Sequence, residues 1–180
     1  MVDTGKNFTT KKNCCHAGVW LAAIPSVLVG VIWKVWRGFA GYFHYYNWYV
    51  ATPKSLPYAP TTTTGTTALN SLCPKNWQLP TNTNPTSTGV KSYANLTDIY
   101  GIGDNAEGSI ALKSAPLYFV RSGDYNYSGN MIDLGSGGSY WSSTASNTPY
   151  AYYLGFGGSG VSPQGNSGRG VGFPLRCVAR

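Results

Sequence analysis

The sequence has few charged residues. Asp, Glu, Lys and Arg make up 11% of the 180 residues, less than half of the roughly 25% found in an average soluble protein. This scarcity excludes a coiled coil and an acidic disordered tail, because both need a high density of charge. The 23 Gly and 11 Pro stay below the roughly 25–30% of a chain at which such a composition indicates disorder. With 14 Tyr and 6 Trp, the chain can build a folded core.

Residues that carry common catalytic chemistry are also scarce. Residues 42–180 contain one histidine, His44, which we interpret as a structural side chain of an aromatic segment. Their carboxylates show no pattern that indicates a glycosidase pair, and they are Asp98, Asp104, Glu107, Asp124 and Asp133. Neither a G-x-S-x-G nor an H-E-x-x-H motif occurs. We therefore expect a protein that is not an enzyme and needs no cofactor, with a hydrolase as a remote third reading.

Potential metal ligands are few, and two cysteines stand alone in the second part of the chain. No Cys-x-x-Cys pair indicates zinc, and residues 134–180 offer no carboxylate for calcium, so we expect no metal. Cys73 and Cys177 are the only cysteines of residues 42–180, and they could be reduced thiols or one disulfide. A disulfide is favoured, because low charge and a preceding apolar segment suit an oxidising compartment. It would contribute about 4–5 kcal/mol by closing a long loop.

The net charge of +7 is divided unevenly along the chain. Residues 1–41 carry five basic residues and one acidic residue. The eight basic residues of 42–180 are scattered and face five acidic ones. Because phosphate binding uses clustered basic side chains, we expect no nucleic-acid partner.

An uncharged run covers residues 17–33, with lysines before it and Lys34 and Arg37 after it. Its length is near the lower limit of about 17–25 residues that can span a bilayer. We predict that the N-terminal segment 1–41 holds a membrane-anchor helix. A cleaved signal peptide and a buried core helix stay open as alternatives. The slight excess of basic residues before the run would place residues 42–180 outside the cytoplasm.

Residues 42–180 alternate short apolar segments with Gly, Pro, Ser and Asn. Tyr93, Leu96 and Tyr100 repeat at helical spacing, so residues 92–100 are predicted to form a helix. The predicted strands are 42–50, 117–121, 138–142, 150–156 and 173–178. The Gly-rich run 155–172 is expected to form long irregular loops. The fold class is therefore α+β, a domain of many short strands with one or two short helices.

Five motifs occur in an informative order. They are YYNWYVAT (45–52), CPKNWQLPT (73–81), YWSSTA (140–145), AYYLGF (151–156) and GFPLRCVAR (172–180). In that order and spacing they resemble the Fibrobacter succinogenes major paralogous domain family, which has a C-type-lectin-like fold. The resemblance covers about residues 42–180.

The resemblance carries expectations about structure and function. It implies that Cys73 pairs with Cys177, that Trp77 and Trp141 pack in the core, and that residues 140–176 build a ligand face. Proteins of this kind are frequently the variable targets of diversity-generating retroelements, which rewrite codons near the 3′ end of a gene, and the C-terminal part looks similar to such a region. The cysteine pair of the related formylglycine-generating enzymes and the calcium motifs of C-type lectins are absent. The resemblance therefore implies neither the oxidase chemistry of those enzymes nor calcium-dependent sugar binding.

The composition of the C-terminal part favours a recognition surface. Tyr supplies large rigid contacts, and Ser, Gly and Asn supply adaptable hydrogen bonds. Because side chains alternate along a strand, Leu154 and Phe156 should share a buried face, which leaves Tyr153 on the exposed one. Tyr140 is expected in the core. The predicted ligand contacts are Ser143, Asn147, Tyr150, Tyr153, Gly155, Ser159, Ser162, Gln164, Asn166 and Arg169.

These features together predict a display protein. We expect residues 42–180 to be a ligand-binding domain at the cell surface or otherwise outside the cytoplasm, anchored in the membrane by the N-terminal helix. Its ligand would be a protein or a cell-surface glycan, as for an adhesin. The alternative is a carbohydrate-binding or structural surface module without a diversified site.

Overall fold

The computed structural model describes residues 44–53, 67–68, 70–82 and 92–179. The helices are α1 (Trp48–Ala51), α2 (Tyr93–Ile99) and α3 (Ala106–Lys113). The strands are β1 (Trp77–Gln78), β2 (Ser122–Tyr125), β3 (Met131–Leu134), β4 (Gly138–Asn147), β5 (Tyr150–Phe156), β6 (Val161–Gly168) and β7 (Val178–Ala179). The fold is mixed α+β with short helices, as the sequence predicts. The predicted anchor helix 17–33 lies outside the described residues, within which no helix is long and apolar enough to cross a membrane.

Five of the strands form one sheet in the order β3-β2-β4-β5-β6. Neighbouring strands of this sheet are antiparallel, except that β2 and β4 run parallel where Gly123 lies beside Gly138. Strands β1 and β7 form a separate pair. Cys177 directly precedes β7 and is joined to Cys73 by a disulfide, which confirms the predicted bridge. The beginning and the end of the described domain are thus held together both by backbone pairing and by a covalent bond.

Helix α2 lies where the sequence predicts a helix, but residues 48–51 form helix α1 instead of a strand. The reason is local: the Asn47 side chain accepts a hydrogen bond from the Val50 N–H and caps the turn, which is a strong helix-start signal. Among residues 44–50, which are the described part of the predicted strand 42–50, only Tyr46 pairs as a strand would, by bridging Phe173.

The predicted strand 117–121 is also wrong. The amides of Leu117 and Tyr118 donate to the Ser114 carbonyl, and the amide of Phe119 donates to Leu112. These amides therefore close the end of α3, and the strand begins only at Ser122. Helix α3 itself was not predicted, although Asn105 caps it by accepting from the Gly108 N–H.

The Gly-rich run 155–172 is more regular than predicted, because it contains β6. Few of its side chains favour a strand, so the pairing with β5 decides its conformation. The predicted strand 173–178 is mostly irregular and only its last residue, Val178, enters β7.

Both faces of the sheet are covered by hydrophobic residues. The first core, on the side of α2 and α3, consists of Tyr93, Leu96, Ile102, Leu112, Leu117, Phe119, Tyr140, Leu154, Phe156 and Val161. The second core consists of Trp48, Ala51, Leu79, Trp141, Ala145, Ala151, Val171 and Phe173. The sheet is therefore the middle of three layers.

The large aromatic side chains of the second core also satisfy backbone carbonyls. The Trp141 indole donates to the Tyr46 carbonyl over 2.8 Å, and the Trp48 indole donates to the Ser142 carbonyl over 3.0 Å. Trp141 is fully buried, as the resemblance implied, whereas Trp77 in β1 is half-buried. The second core thus packs against the face of β4 and β5 that carries Tyr153, one of the predicted ligand contacts.

Candidate functional site

The ten predicted contacts do not form one surface. Strand β5 has seven residues, so its two ends are about 20 Å apart at the usual rise per residue. Near its first residue lie Asn147, Tyr150 and Arg169, which we call the turn patch. Near its last residue lies an open groove with Tyr153, Gly155, Ser159 and Ser162. Gln164 and Asn166 are exposed on β6, and Ser143 lies inside the protein.

Ser143 is not a surface residue. It is 3% exposed, and its hydroxyl donates to the carbonyls of Leu79 and Pro80. Its own N–H also donates to the Pro80 carbonyl over 2.8 Å. The prediction of Ser143 as an exposed contact is therefore wrong, because β4 is the central strand and nearly all of its residues are buried.

Arg169 is buried as well, with 7% of its surface exposed. Its guanidinium donates to the carbonyls of Tyr150 and Asn147 over 3.1 and 2.8 Å. It lies 4.7 Å from the centroid of the Trp48 ring, a favourable cation–π arrangement. The expectation that Arg169 is a free contact is wrong, because its donors close the β4–β5 turn. Asn147 and Tyr150 keep exposed side chains beside it.

Tyr153 is half-buried instead of exposed. Its ring meets the Trp141 ring edge-on at 6.3 Å between centroids and lies 4.9 Å from the Phe173 ring. The prediction treated the face of Leu154 and Phe156 as the only buried one. The second core covers the other face, so Tyr153 packs there and presents only part of its ring to the groove.

Two glycines make room for the Tyr153 ring. A Cβ at Gly155 would lie 2.8 Å from Cε2 of the ring, and a Cβ at Gly165 would lie 2.9 Å from Cε1 and Cζ. Gly155 lies two residues after Tyr153 in β5. Gly165 in β6 is the residue that pairs with Tyr153. The predicted contact Gly155 thus seats an aromatic ring. Burial raises the pKa of the Tyr153 hydroxyl, and the Asp124 charge raises it further, so the phenol stays protonated at neutral pH.

The groove lies between the β3–β4 turn and the β5–β6 loop. It has a volume of about 560 Å³ and is open to solvent. Ser139, Gly155 and Ser162 are neighbours across β4, β5 and β6 and line it together. Paired residues of antiparallel strands point to the same face of a sheet, so this row forms a polar strip on the face that carries Tyr153.

Acidic side chains border the groove. Asp133 lines it from the end of β3, and Asp104 lines it from the loop before α3. Asp124 in β2 lies beside the polar strip and accepts a hydrogen bond from the Ser139 hydroxyl over 3.3 Å. Burial raises the pKa of Asp124; the Ser139 hydrogen bond opposes this shift and the charge of Asp133 adds to it. Ser139 and Asp133 are thus the neighbours that act on Asp124, and neither is a cation.

Sequence reasoning missed Asp104, Asp133, Ser136 and Ser139 as groove residues. They precede the predicted ligand face 140–176. Long-range pairing brings them to the groove, and no local motif marks them. Asp104 and Asp133 were noticed only as carboxylates without a catalytic pattern.

The groove is suited to binding by hydrogen bonds and charge. Across the described ranges, no three His, Cys, Asp or Glu side chains come close enough to hold a metal ion. His44 is exposed and its ring lies 6.4 Å from that of Tyr46, remote in sequence from every groove residue. The groove therefore offers hydroxyls, carboxylates, backbone groups and the partly exposed Tyr153 ring, with Phe156 largely buried in its wall.

Comparison of the chain with protein-family models, with curated proteins and with solved structures finds no match. The family resemblance carried by the five motifs therefore stays a prediction. The binding properties of the site therefore have to follow from its geometry alone.

Proposed function

We propose that residues 42–180 are a ligand-binding display domain that acts outside the cytoplasm, in the manner of an adhesin. The groove is the observation that carries this proposal. It gathers Tyr153, Gly155, Ser159 and Ser162, four of the predicted contacts, beside Ser139. A sheet with a packed core on each face supports these residues, and a rigid scaffold with polar loops is the usual arrangement of a recognition site.

The proposed location rests on the disulfide and on the N-terminal run. The Cys73–Cys177 bridge is typical of proteins in oxidising compartments. The uncharged run 17–33 would then anchor the chain in the membrane. The protein would be a tethered receptor for a protein or a cell-surface glycan, with no nucleic-acid partner.

The proposal includes a C-type-lectin-like fold of the family that the five motifs resemble. It also includes a diversified binding face. Support comes from exposed positions at which side chains can change without affecting the core: a Cβ at Gly158 would meet no atom within 4 Å, and Ser159, Ser162, Gln164 and Asn166 are exposed.

We propose binding without catalysis. Ser139 is a groove serine that donates a hydrogen bond to a carboxylate, but activation of a serine needs a base that accepts its proton, usually an imidazole. Here the acceptor is the half-buried Asp124 carboxylate, and no histidine is among the described residues that line the groove. No cofactor is required for this function.

A carbohydrate-binding module without a diversified face is the second candidate. The row of serine hydroxyls, the carboxylates and the Tyr153 ring in one open groove favour it, because sugars are held by hydrogen bonds and by contact with aromatic rings. Both candidates use the same groove and differ in the ligand class and in the variation of the gene.

Blocking the groove tests the proposal. The full chain is applied to arrays of microbial surface proteins and glycans, and Gly158→Trp is compared with the natural chain. Gly158 lines the groove and has space around it, so the indole should cover the groove without loss of folding. Tyr150→Ala in the turn patch is the matched control.

We expect Gly158→Trp to abolish the strongest array signal while Tyr150→Ala retains it. The reverse result would place the contact surface at the turn patch and contradict the proposal. The gene separates the two candidates: a nearby reverse-transcriptase gene and a template copy of the 3′ end that differs at adenines would support diversification, and their absence would favour the carbohydrate-binding module.

A further inference from the structure

The charges around the groove differ in sign from the net charge of the chain. The described residues include five carboxylates, all between positions 98 and 133. Asp133 lines the groove from β3, and Asp104 lines it beside Val161, whose N–H donates to the Asp104 carbonyl. Asp124 lies beside the polar strip. Among the described residues that line the groove there is no lysine, arginine or histidine.

The arginines of the described part are used within the fold. Arg169 donates to carbonyls of the turn patch, and Arg176 donates to the Leu117 carbonyl with its guanidinium 3.9 Å from the Phe119 ring centroid. Arg121 is the nearest to the groove, because it donates to the carbonyl of Gly157 and to the Ser109 hydroxyl, each over 3.1 Å. It approaches from the side of α3 and is half-buried there.

The groove also contains an aromatic surface. The Tyr153 ring lines it and is held in place by Trp141 and Phe173. An ammonium or guanidinium group near an aromatic ring gains a cation–π interaction. Carboxylates at the rims would attract the same group, and serine hydroxyls can accept its hydrogen bonds.

We propose that the groove binds a lysine or arginine side chain of a partner protein. The inference rests on the proposed binding function and specifies its ligand class. The cation lies between Asp133 and Asp104 and contacts the Tyr153 ring, while the neighbouring residues of the partner follow the strip of Ser139, Gly155 and Ser162. A side-chain cation suits this arrangement, because the carboxylates are spread around the groove and do not converge on one point as metal ligands must.

Nuclear magnetic resonance of the isotope-labelled full chain tests the inference. Three probes are titrated separately: a blocked tetra-arginine peptide, a blocked tetraglutamine peptide and a neutral glucose tetrasaccharide. We expect tetra-arginine to shift the amide signals of Ser139, Gly155, Gly157 and Ser162. Added salt should weaken this binding, because the rim carboxylates are exposed and screened.

Two single substitutions locate the charge contact. Asp133→Asn removes a groove carboxylate and keeps a residue type that tolerates the positive φ of 54° at this position. It should weaken tetra-arginine binding about threefold to fivefold, as the loss of one exposed charge pair would. Asp98→Asn makes the same charge change on α2 outside the groove and should leave the affinity unchanged within about twofold.

Three results would overturn the inference. Equal weakening by Asp98→Asn would mean that the peptide responds only to net charge. Groove shifts of equal or greater strength with tetraglutamine or the tetrasaccharide would show that the groove binds ligands without selecting a cation, which leaves the proposed function intact. Groove amides that do not move with tetra-arginine would refute a cation site, and the Gly158→Trp array experiment would then decide the proposed function independently.

Discussion

The two ends of strand β5 use similar residues for different purposes. At the turn patch, Asn147 and Tyr150 offer their carbonyls to Arg169, which lies on the Trp48 ring. At the groove, Gly155 and Ser162 line an open space whose nearest arginine approaches from behind the strand. One end is closed by a buried cation, and the other is bordered by carboxylates.

The difference shows that composition alone does not identify a binding surface. A Tyr with small or polar neighbours occurs at both ends, so both satisfy the compositional pattern of a recognition surface. Asn147 accompanies Tyr150 in the turn patch, and Gly155 and Ser162 accompany Tyr153 in the groove. The turn patch differs because the buried Arg169 side chain donates hydrogen bonds to the backbone carbonyls of Asn147 and Tyr150. At the groove end, the glycines beside Tyr153 make room for its ring, and the groove itself stays open to solvent.

The largest expected effect is at the turn patch. Arg169→Ala removes the donors to Asn147 and Tyr150 and the contact with Trp48, so it should lower the free energy of unfolding by about 2–4 kcal/mol. Ser162→Ala in the groove should change it by less than about 0.5 kcal/mol, because exposed positions contribute little to stability. Urea denaturation of both variants measures the contrast. Equal losses of unfolding free energy in the two variants would contradict the difference between a turn patch that stabilises the fold and a groove that does not.

A smaller effect is expected where the groove meets the second core. Gly165→Ala places a methyl group 2.9 Å from the Tyr153 ring, and Trp141 and Phe173 restrict the movement of that ring. We expect a loss of about 1–2 kcal/mol from overpacking, measured by thermal unfolding. Gly158→Ala is the control, since its methyl group meets no atom within 4 Å; a similar loss there would point to chain flexibility instead of ring displacement.

The smallest effect concerns the half-buried carboxylate beside the groove. The pKa of Asp124 is raised in the folded state, chiefly by burial. The folded protein therefore holds this proton more tightly than the unfolded chain, and the Asp124 contribution to stability falls as the pH rises from the ordinary aspartate value of 3.8 through the folded pKa. Removing the charge should therefore stabilise the fold once the pH is above this range.

Asp124→Asn should raise the free energy of unfolding relative to the natural chain more at pH 7 than at pH 4. Denaturant curves at the two pH values give this double difference, and Asp98→Asn on the exposed side of α2 corrects for the change in net charge. An Asp124→Asn variant that is less stable at pH 7 would show that the carboxylate stabilises the sheet. Asp124 would then resemble Arg169, whose buried charge stabilises the turn patch.

The parts of the fold that depend on local signals could be predicted from the sequence. The spacing of Tyr93, Leu96 and Tyr100 predicted α2, and the Ser92 side chain caps it by accepting from the Asn95 N–H. Low charge and the preceding apolar segment favoured the Cys73–Cys177 bridge, and the family resemblance implied it. Strand β6 could not be predicted, because its backbone pairing with β5 has no side-chain pattern in a run of Gly, Ser and Asn.

The site was predicted only in part, for physical reasons. Alternation along β5 correctly separates Tyr153 from Leu154, but it does not reveal that a second core covers the face of Tyr153. The burial of Arg169 depends on Trp48, a residue more than a hundred positions earlier in the chain. Asp133 and Ser139 line the groove only because β2, β3 and β4 pair as they do. These are tertiary facts without a local signature.

The bridge between Cys73 and Cys177 spans 104 positions, and strands β2 to β6 all lie inside the ring that it closes. A protease that cuts the exposed Gly158–Ser159 bond would therefore produce two pieces that stay linked through sulfur. Such a nicked molecule would run as one species without a reducing agent and as two with it. A cut in this loop would therefore not release residues 159–180, the part of the chain that carries β6 and β7.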